Sequence, residues 1–159
     1  MRRFIAGVLV VFPWASALAI TPTVDYRCLA RAADNIVVVN DARTDRPVMT
    51  DYFGPLFLTR LDVEKQFKGV LVIARDPSDR FEVIVRRDDR NSAGFRLAKE
   101  PRSLVFIKNT DQGPAILGDA PGVLPYRDGI TIYDVKLDDA AIKTFFSEKS
   151  LAKANCRDR

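Results

Sequence analysis

Three pairs of acidic residues stand close enough in the chain to raise the question of catalysis: Asp62 with Glu64, Asp88 with Asp89, and Asp138 with Asp139. Paired carboxyls on either side of a sugar run glycoside hydrolysis, one protonating the leaving oxygen and the other acting as nucleophile or base. Each pair also has a plainer use, as strand-face charge, as turn chemistry and as a helix cap respectively. Adjacency along a chain does not set two carboxyls across a substrate. The chain contains no histidine, which removes Ser–His–Asp and Cys–His nucleophile systems and the usual zinc ligand sets. Its Asp and Asn clusters lack the spaced pattern of a calcium loop closed by Glu. The two cysteines, Cys28 and Cys156, are too far apart in sequence for a C-x-x-C redox couple. The expectation is a protein that is not an enzyme and uses no cofactor or metal. A small carboxylate-dependent enzyme acting on glycans is the alternative.

The compartment follows from the first residues. Arg2 and Arg3 precede an apolar run from Phe4 to Trp14, and Ala17-Leu18-Ala19 supplies small residues for cleavage, the pattern of a secretory leader. Residues 1–19 are therefore expected to be a signal peptide, and 20–159 a single mature domain beginning at Ile20. The apolar run is shorter than the roughly 20 residues of a bilayer span and contains Pro13. Cys28 follows Asp25-Tyr26-Arg27 rather than the small and apolar residues that precede a lipidated cysteine. Export to the periplasm or beyond, as a soluble protein, is the expectation. There an even cysteine count is normally paired, so Cys28 and Cys156 should form a bridge joining the two ends of the mature chain. Removing two of the 25 basic residues with the leader leaves 23 against 21 acidic ones. That near balance, with charges interspersed, is unlike a nucleic-acid-binding arm.

The elements that would position any site are mainly strands. In FLTRLDVEKQFKG, Phe57, Thr59, Leu61 and Val63 alternate with residues of the other face, and in RFEVIVRR so do Phe81, Val83 and Val85. The segment from Phe95 to Lys108 is expected to give a third strand. Phe57, Leu61, Val63, Val83, Val85, Leu104 and Phe106 are expected to share one core. Ile36 to Val39, β-branched throughout and flanked by polar residues, predicts a buried strand. Asp25 is placed to cap a short helix carrying Cys28, Leu29 and Ala32 inward. Arg43 to Gly54 is predicted to be a loop, and Ile130 to Val135 a strand. From Asp138 or Asp139 a final helix is expected to run towards Cys156, with Ile142, Phe145, Lys149 and Ala152 on one side and Phe146 broadening its apolar face.

Several of these residues also form a recognisable order: Cys28 in a short lead-in, Asp34 before Val37 to Val39, Val63 followed by Phe67-Lys68-Gly69, and Phe95 to Leu97 followed by Leu104 to Ile107. Over Cys28 to Lys108 the chain resembles bacterial members of the netrin-like superfamily, whose relatives include the tissue inhibitors of metalloproteinases. The resemblance implies a mainly β (α+β) fold, a five-stranded OB-like β-barrel with a short N-terminal helix and a C-terminal helix. Those animal inhibitors chelate the protease zinc through a mature N-terminal cysteine. Here the mature chain would begin at Ile20 and Cys28 is internal, so that mode of inhibition is not carried over.

Two sets of residues are candidates for binding. Arg86, Arg87, Arg90 and Arg96, with Lys99 and Arg102 nearby, make the best basic patch and are assigned to a polyanion, with a solvated hairpin as the plainer reading. A single-strand nucleic-acid site also needs exposed aromatics for stacking, whereas Phe81 and Phe95 are expected in the core. Export further makes cellular nucleic acid a poor candidate beside a cell-surface polyanion. The segment Gly113 to Gly129, rich in Pro and Gly, is expected to be an irregular loop. It carries Leu124, Tyr126 and Arg127, a set suited to a protein partner. The competing reading has Leu124 and Tyr126 fold back to cap the open end of the barrel. The function expected from all this is an exported, non-enzymatic binding or inhibitory module.

Overall fold

Ile36, Val37, Val38 and Val39 are all buried, and they begin β1 (Asn35–Asp51), the strand on which the sheet closes. The structure, a computed structural model, describes residues 24–51, 54–69, 81–86, 92–100 and 102–156. The expected leader, the cleavage site at Ile20, Asp88, Asp89, Arg87 and Arg90 lie outside the described residues. β1 pairs antiparallel with β2 (Gly54–Lys68), and β2 with β3 (Phe81–Arg86). β3 runs parallel to β5 (Gly113–Ile116), β5 pairs with β4 (Ser103–Thr110), and β4 returns to β1. The order β1-β2-β3-β5-β4 with the β1–β4 pairing is a closed five-stranded barrel, mainly β and OB-like as expected. Closure satisfies the backbone groups that an open sheet would leave along its edges.

The remaining elements sit around this barrel. α1 (Tyr26–Ala32) precedes it, its first turn capped by Asp25, which accepts from the Arg27 and Cys28 amides. Ala30 faces inward, while Ala32, expected there, is exposed. α2 (Ala93–Lys99) lies between β3 and β4. β6 (Val123–Pro125) continues the sheet beside β4, and β7 (Ile130–Ile132) forms a separate hairpin with β8 (Val135–Leu137). α3 (Asp139–Phe145) and α4 (Glu148–Leu151) close the chain. Cys28 and Cys156 are bonded across a Cα–Cα distance of 5.4 Å, tying α1 to the segment after α4.

Five expectations are corrected. The loop expected from Arg43 to Gly54 is not seen over residues 43–51, because β1 and β2 stay paired out to Asp51 opposite Gly54. Pro47 is tolerated there since β4 pairs only with Asn35 to Val39, and a proline in a strand needs a side where no amide proton is required. Phe95 belongs to α2 rather than to a strand. Ser92 accepts from the Phe95 amide and Asp119 from the Ala93 amide at 2.6 Å, which satisfies two of the free donors of that helix end. The segment Gly113 to Gly129 is not irregular throughout, since it carries β5, a 3-10 turn (Ala120–Gly122) and β6. The strand expected from Ile130 to Val135 is a hairpin turning at Tyr133 and Asp134, whose φ values are 50° and 63°. The C-terminal helix is broken at Phe146 and Ser147, where Ser147 caps α4. Ile142 and Phe146 are buried as expected, with Leu151, and Phe145 packs half-buried against the same cluster, while Lys149 and Ala152 are exposed.

Two apolar clusters replace the single expected core. Inside the barrel lie Val37, Val39, Leu61, Val83, Val85, Val105 and Ile107, joined by Ala93 and Leu97 of α2. Phe57 and Val63 pack half-buried against them. Thr59 shares this interior phase, and its Oγ1 is buried without a hydrogen-bond partner. On the other face of β1 and β4, Ile36, Val38, Leu104 and Phe106 pack with Leu124, Tyr126, Ile142, Phe146 and Leu151. Leu104 and Phe106 therefore belong beneath the terminal helices and not with Leu61. β4 is covered on both faces, so its apolar residues run continuously and carry no alternation that would reveal their phase.

The residues behind the netrin-like resemblance have structural work at one joint. The Lys68 ammonium donates to the carbonyls of Ala30, Arg31 and Ala33 at 2.7, 3.2 and 2.6 Å, closing the C-terminal end of α1. Gly69 has φ +85°, and a Cβ there would lie 2.2 Å from Asn35 Oδ1 and 2.4 Å from the Asp34 carbonyl oxygen. Asp34 accepts from Lys108 at 3.0 Å and from the Asn109 amide at 2.7 Å, contacts that hold its pKa below the usual carboxylate value.

Candidate functional site

Of the acidic pairs, Asp62 with Glu64 and Asp138 with Asp139 are described, and their side chains are engaged as follows. Asp138 caps α3, accepting from the Ala141 amide at 2.8 Å. Asp139 accepts from Lys65 at 2.7 Å and from the Tyr126 hydroxyl. Glu64 takes both arms of the Arg102 guanidinium, while Asp62 lies half-buried two residues earlier on β2. The hydrogen bonds from Lys65 and then Tyr126 lower the Asp139 pKa, and the Arg102 hydrogen bonds lower that of Glu64. A glycosidase acid needs the opposite, a carboxyl that keeps its proton near neutrality.

Lys65, Tyr126 and Asp139 make a junction between β2, the segment after β6, and α3. Tyr126 is 2% exposed and Leu124 6%, so neither presents a surface to a partner. Both fold back into the cluster beneath the terminal helices, and Tyr126 brings its hydroxyl to the cluster's polar margin. The Lys65 ammonium lies 3.1 Å from that hydroxyl, and the Arg102 guanidinium carbon sits 4.7 Å from the ring centroid. Burial and then the bond to Asp139 raise the Tyr126 pKa, and the bond to Asp139 raises that of Lys65. All three groups thus hold their ordinary protonation states more firmly than in water, which suits a joint rather than a proton relay.

The pH dependence has a definite sign. Asp139 and Glu64 have depressed folded-state values, so their contribution is present above the unfolded carboxylate pKa of about 4 and is lost as pH falls through the folded values. Lys65 and Tyr126 have raised values, so their contribution is lost only as pH climbs beyond about 10. Asp139→Asn is expected to lower stability at neutral pH. The difference from the parent should shrink as pH drops to about 3, which urea titrations at the two pH values would show.

One member of each candidate binding set, Arg96 and Arg127, borders a different face. Arg86 ends β3, and of that set Arg96 is the member whose side-chain surroundings are described. α2 turns Ala93 and Leu97 inward and leaves Lys99 and Phe95 exposed, Phe95 at 39%. Phe95 is therefore not a core residue as expected; Arg102, bound to Glu64, is committed elsewhere. A cleft of about 280 Å³ is lined by Phe95, Arg96, Lys99, Glu100, Val123 and Pro125. A second of about 440 Å³ shares Glu100 and Pro125 and adds Arg127, Thr131 and Lys136. Arg127 is open to solvent, 3.4 Å from Glu100, and its amide donates to the Gly129 carbonyl at 3.0 Å. Gly129 has φ +126°, and a Cβ there would lie 2.1 Å from the Leu137 carbonyl oxygen, so this turn has no room for a side chain.

Arg96, Lys99, Arg127 and Lys136 thus converge around Glu100 beside an exposed aromatic ring. Sequence reasoning missed Phe95 and Lys136. Ser92 followed by Ala93 and Leu97 four residues apart was the available signal for a capped helix that turns Phe95 outward. Among the described residues no group of three or more His, Cys, Asp or Glu could hold a metal ion, and no helix is long and apolar enough to cross a membrane. No family model matches the chain, and neither the curated proteins nor the solved structures contain a match to it.

Proposed function

We propose that the chain is an exported, non-enzymatic binding or inhibitory module, of netrin-like kinship, whose α2 face engages a cell-surface polyanion. The observation that carries the reading is the convergence of Arg96 and Lys99 from α2 with Arg127 and Lys136 around two adjoining clefts beside exposed Phe95. Cations at exposed positions attract a repeating anion over several ångströms and exchange water for it at little desolvation cost. Phe95 offers a flat apolar surface on which a sugar ring can lie. The barrel and the Cys28–Cys156 bridge supply a rigid mount, and a bridge of this kind belongs with an oxidising compartment. The lowered pKa values of Glu64 and Asp139 weigh against the carboxylate-dependent alternative.

The test is binding of dextran sulfate by the mature protein and by the variant Arg96→Glu, Lys99→Glu, Arg127→Glu. Reversal of the three charges is expected to weaken binding by about one to two orders of magnitude with the melting temperature retained, and added salt should weaken the parent likewise. Equal affinity in parent and variant would reject this face as the site.

A further inference from the structure

A second groove, of about 540 Å³, runs between α1 and the C-terminal helices, with Leu137, Ala141 and Phe145 on its floor and Arg27, Lys149 and Lys153 around its rim. No lining residue is acidic. The floor exists because the helix breaks after Phe145: Phe146 turns into the core, its ring 5.0 Å from that of Phe145, and Phe145 is left half-buried. The Arg27 guanidinium carbon lies 4.9 Å from the Phe145 ring centroid, which holds a positive charge directly over apolar surface. Among the described residues Arg27, Lys149 and Lys153 form no ion pair with a carboxylate. The Cys28–Cys156 bridge fixes one wall to the other.

We infer that this groove binds a single-chain amphiphile with an anionic head, its acyl chain along the Phe145 floor and its head among Arg27, Lys149 and Lys153. Three like charges facing one groove repel each other, and an anion placed among them relieves that repulsion. The volume falls within the range of roughly 300–1,000 Å³ typical of small-ligand sites. A polymeric anion would leave the apolar floor unused. An acidic peptide would set its backbone amides and carbonyls over that apolar floor, at a cost for each group left unpaired. An acyl chain has no such groups.

Calorimetric titration of the mature protein with dodecanoate and with dodecanol, both below their aggregation limits, tests the assignment. Dodecanoate is expected to bind saturably and the uncharged alcohol at least about tenfold more weakly. Lys149→Glu with Lys153→Glu, both exposed positions, should weaken dodecanoate binding by at least a similar factor while keeping the melting temperature, and Arg27→Gln should act in the same direction. Charge reversal at Arg96, Lys99 and Arg127 should leave it unchanged, which separates this groove from the polyanion face. Absence of saturable binding, equal binding of the alcohol, unchanged affinity in the lysine variant, or displacement of dodecanoate by a glutamate-rich peptide at lower concentration would each overturn the inference.

Discussion

Replacing Cys28 and Cys156 together by Ala is expected to lower the unfolding free energy by about 4–5 kcal/mol. The two cysteines are 128 residues apart, so the bond removes a large share of the unfolded chain's freedom, and the loop-closure term grows with the logarithm of that length. The folded state gives a second reason to expect a large effect. α1 has seven residues and α4 four, lengths at which an isolated helix does not persist in water. Each is held by its partner and by the sheet beneath, and the bond keeps both partners in place. Denaturant titration of the oxidised protein and the double variant measures the difference. A loss under about 1 kcal/mol would contradict the loop-closure account of the bond.

Phe106→Ala is expected to cost about 3–5 kcal/mol. Phe106 is fully buried on the helix-facing side of β4, its ring 5.5 Å from that of Phe146 at 90° and 6.3 Å from that of Tyr26. Truncation removes the contact that joins α1, β4 and the C-terminal helices, and it leaves a cavity between the sheet and those helices. Phe146→Ala should behave similarly, while Phe145→Ala, half-buried at the groove, should cost less than about 1.5 kcal/mol. A large loss at Phe145 with a small one at Phe146 would show that the helix break directs the other ring inward.

What could be read in the chain depended on whether an element is covered on one face or two. β2 and β3 show their phase plainly, because Leu61, Val83 and Val85 alternate with residues of the outer face. Ile36 to Val39 announced a buried strand by composition. Asp25 and Asp138 announced helix starts through capping chemistry, and the cysteine bridge followed from count and compartment. β4 concealed its phase because both faces are apolar. α2 was hidden because Phe95, Arg96 and Leu97 also fit a short alternating pattern, and the capping contact from Asp119 comes from 26 residues further along.

The candidate site was legible as charge and not as geometry. Arg96 and Arg127 were each singled out within separate runs, but only the fold shows that α2 and the turn after β6 border the same pair of clefts. Tyr126 looked like a binding aromatic because its segment is rich in Pro and Gly. Its inward turn depends on Lys65 and Asp139, 61 and 13 residues away in the chain, and no local pattern encodes that meeting. The same holds for Asp34 with Lys68 and Gly69, which lie far apart in sequence and prove to be the joint between α1 and the barrel.

The polyanion-binding reading is tested most directly by following the backbone amide resonances of the protein while a sulfated or uronic-acid oligosaccharide is added. Shifts should concentrate at Phe95 to Glu100, Arg127, Thr131 and Lys136, saturate together, and recede as salt is raised. Saturating shifts confined to other surfaces, or none at a concentration that occupies a control polyanion-binding protein, would contradict it.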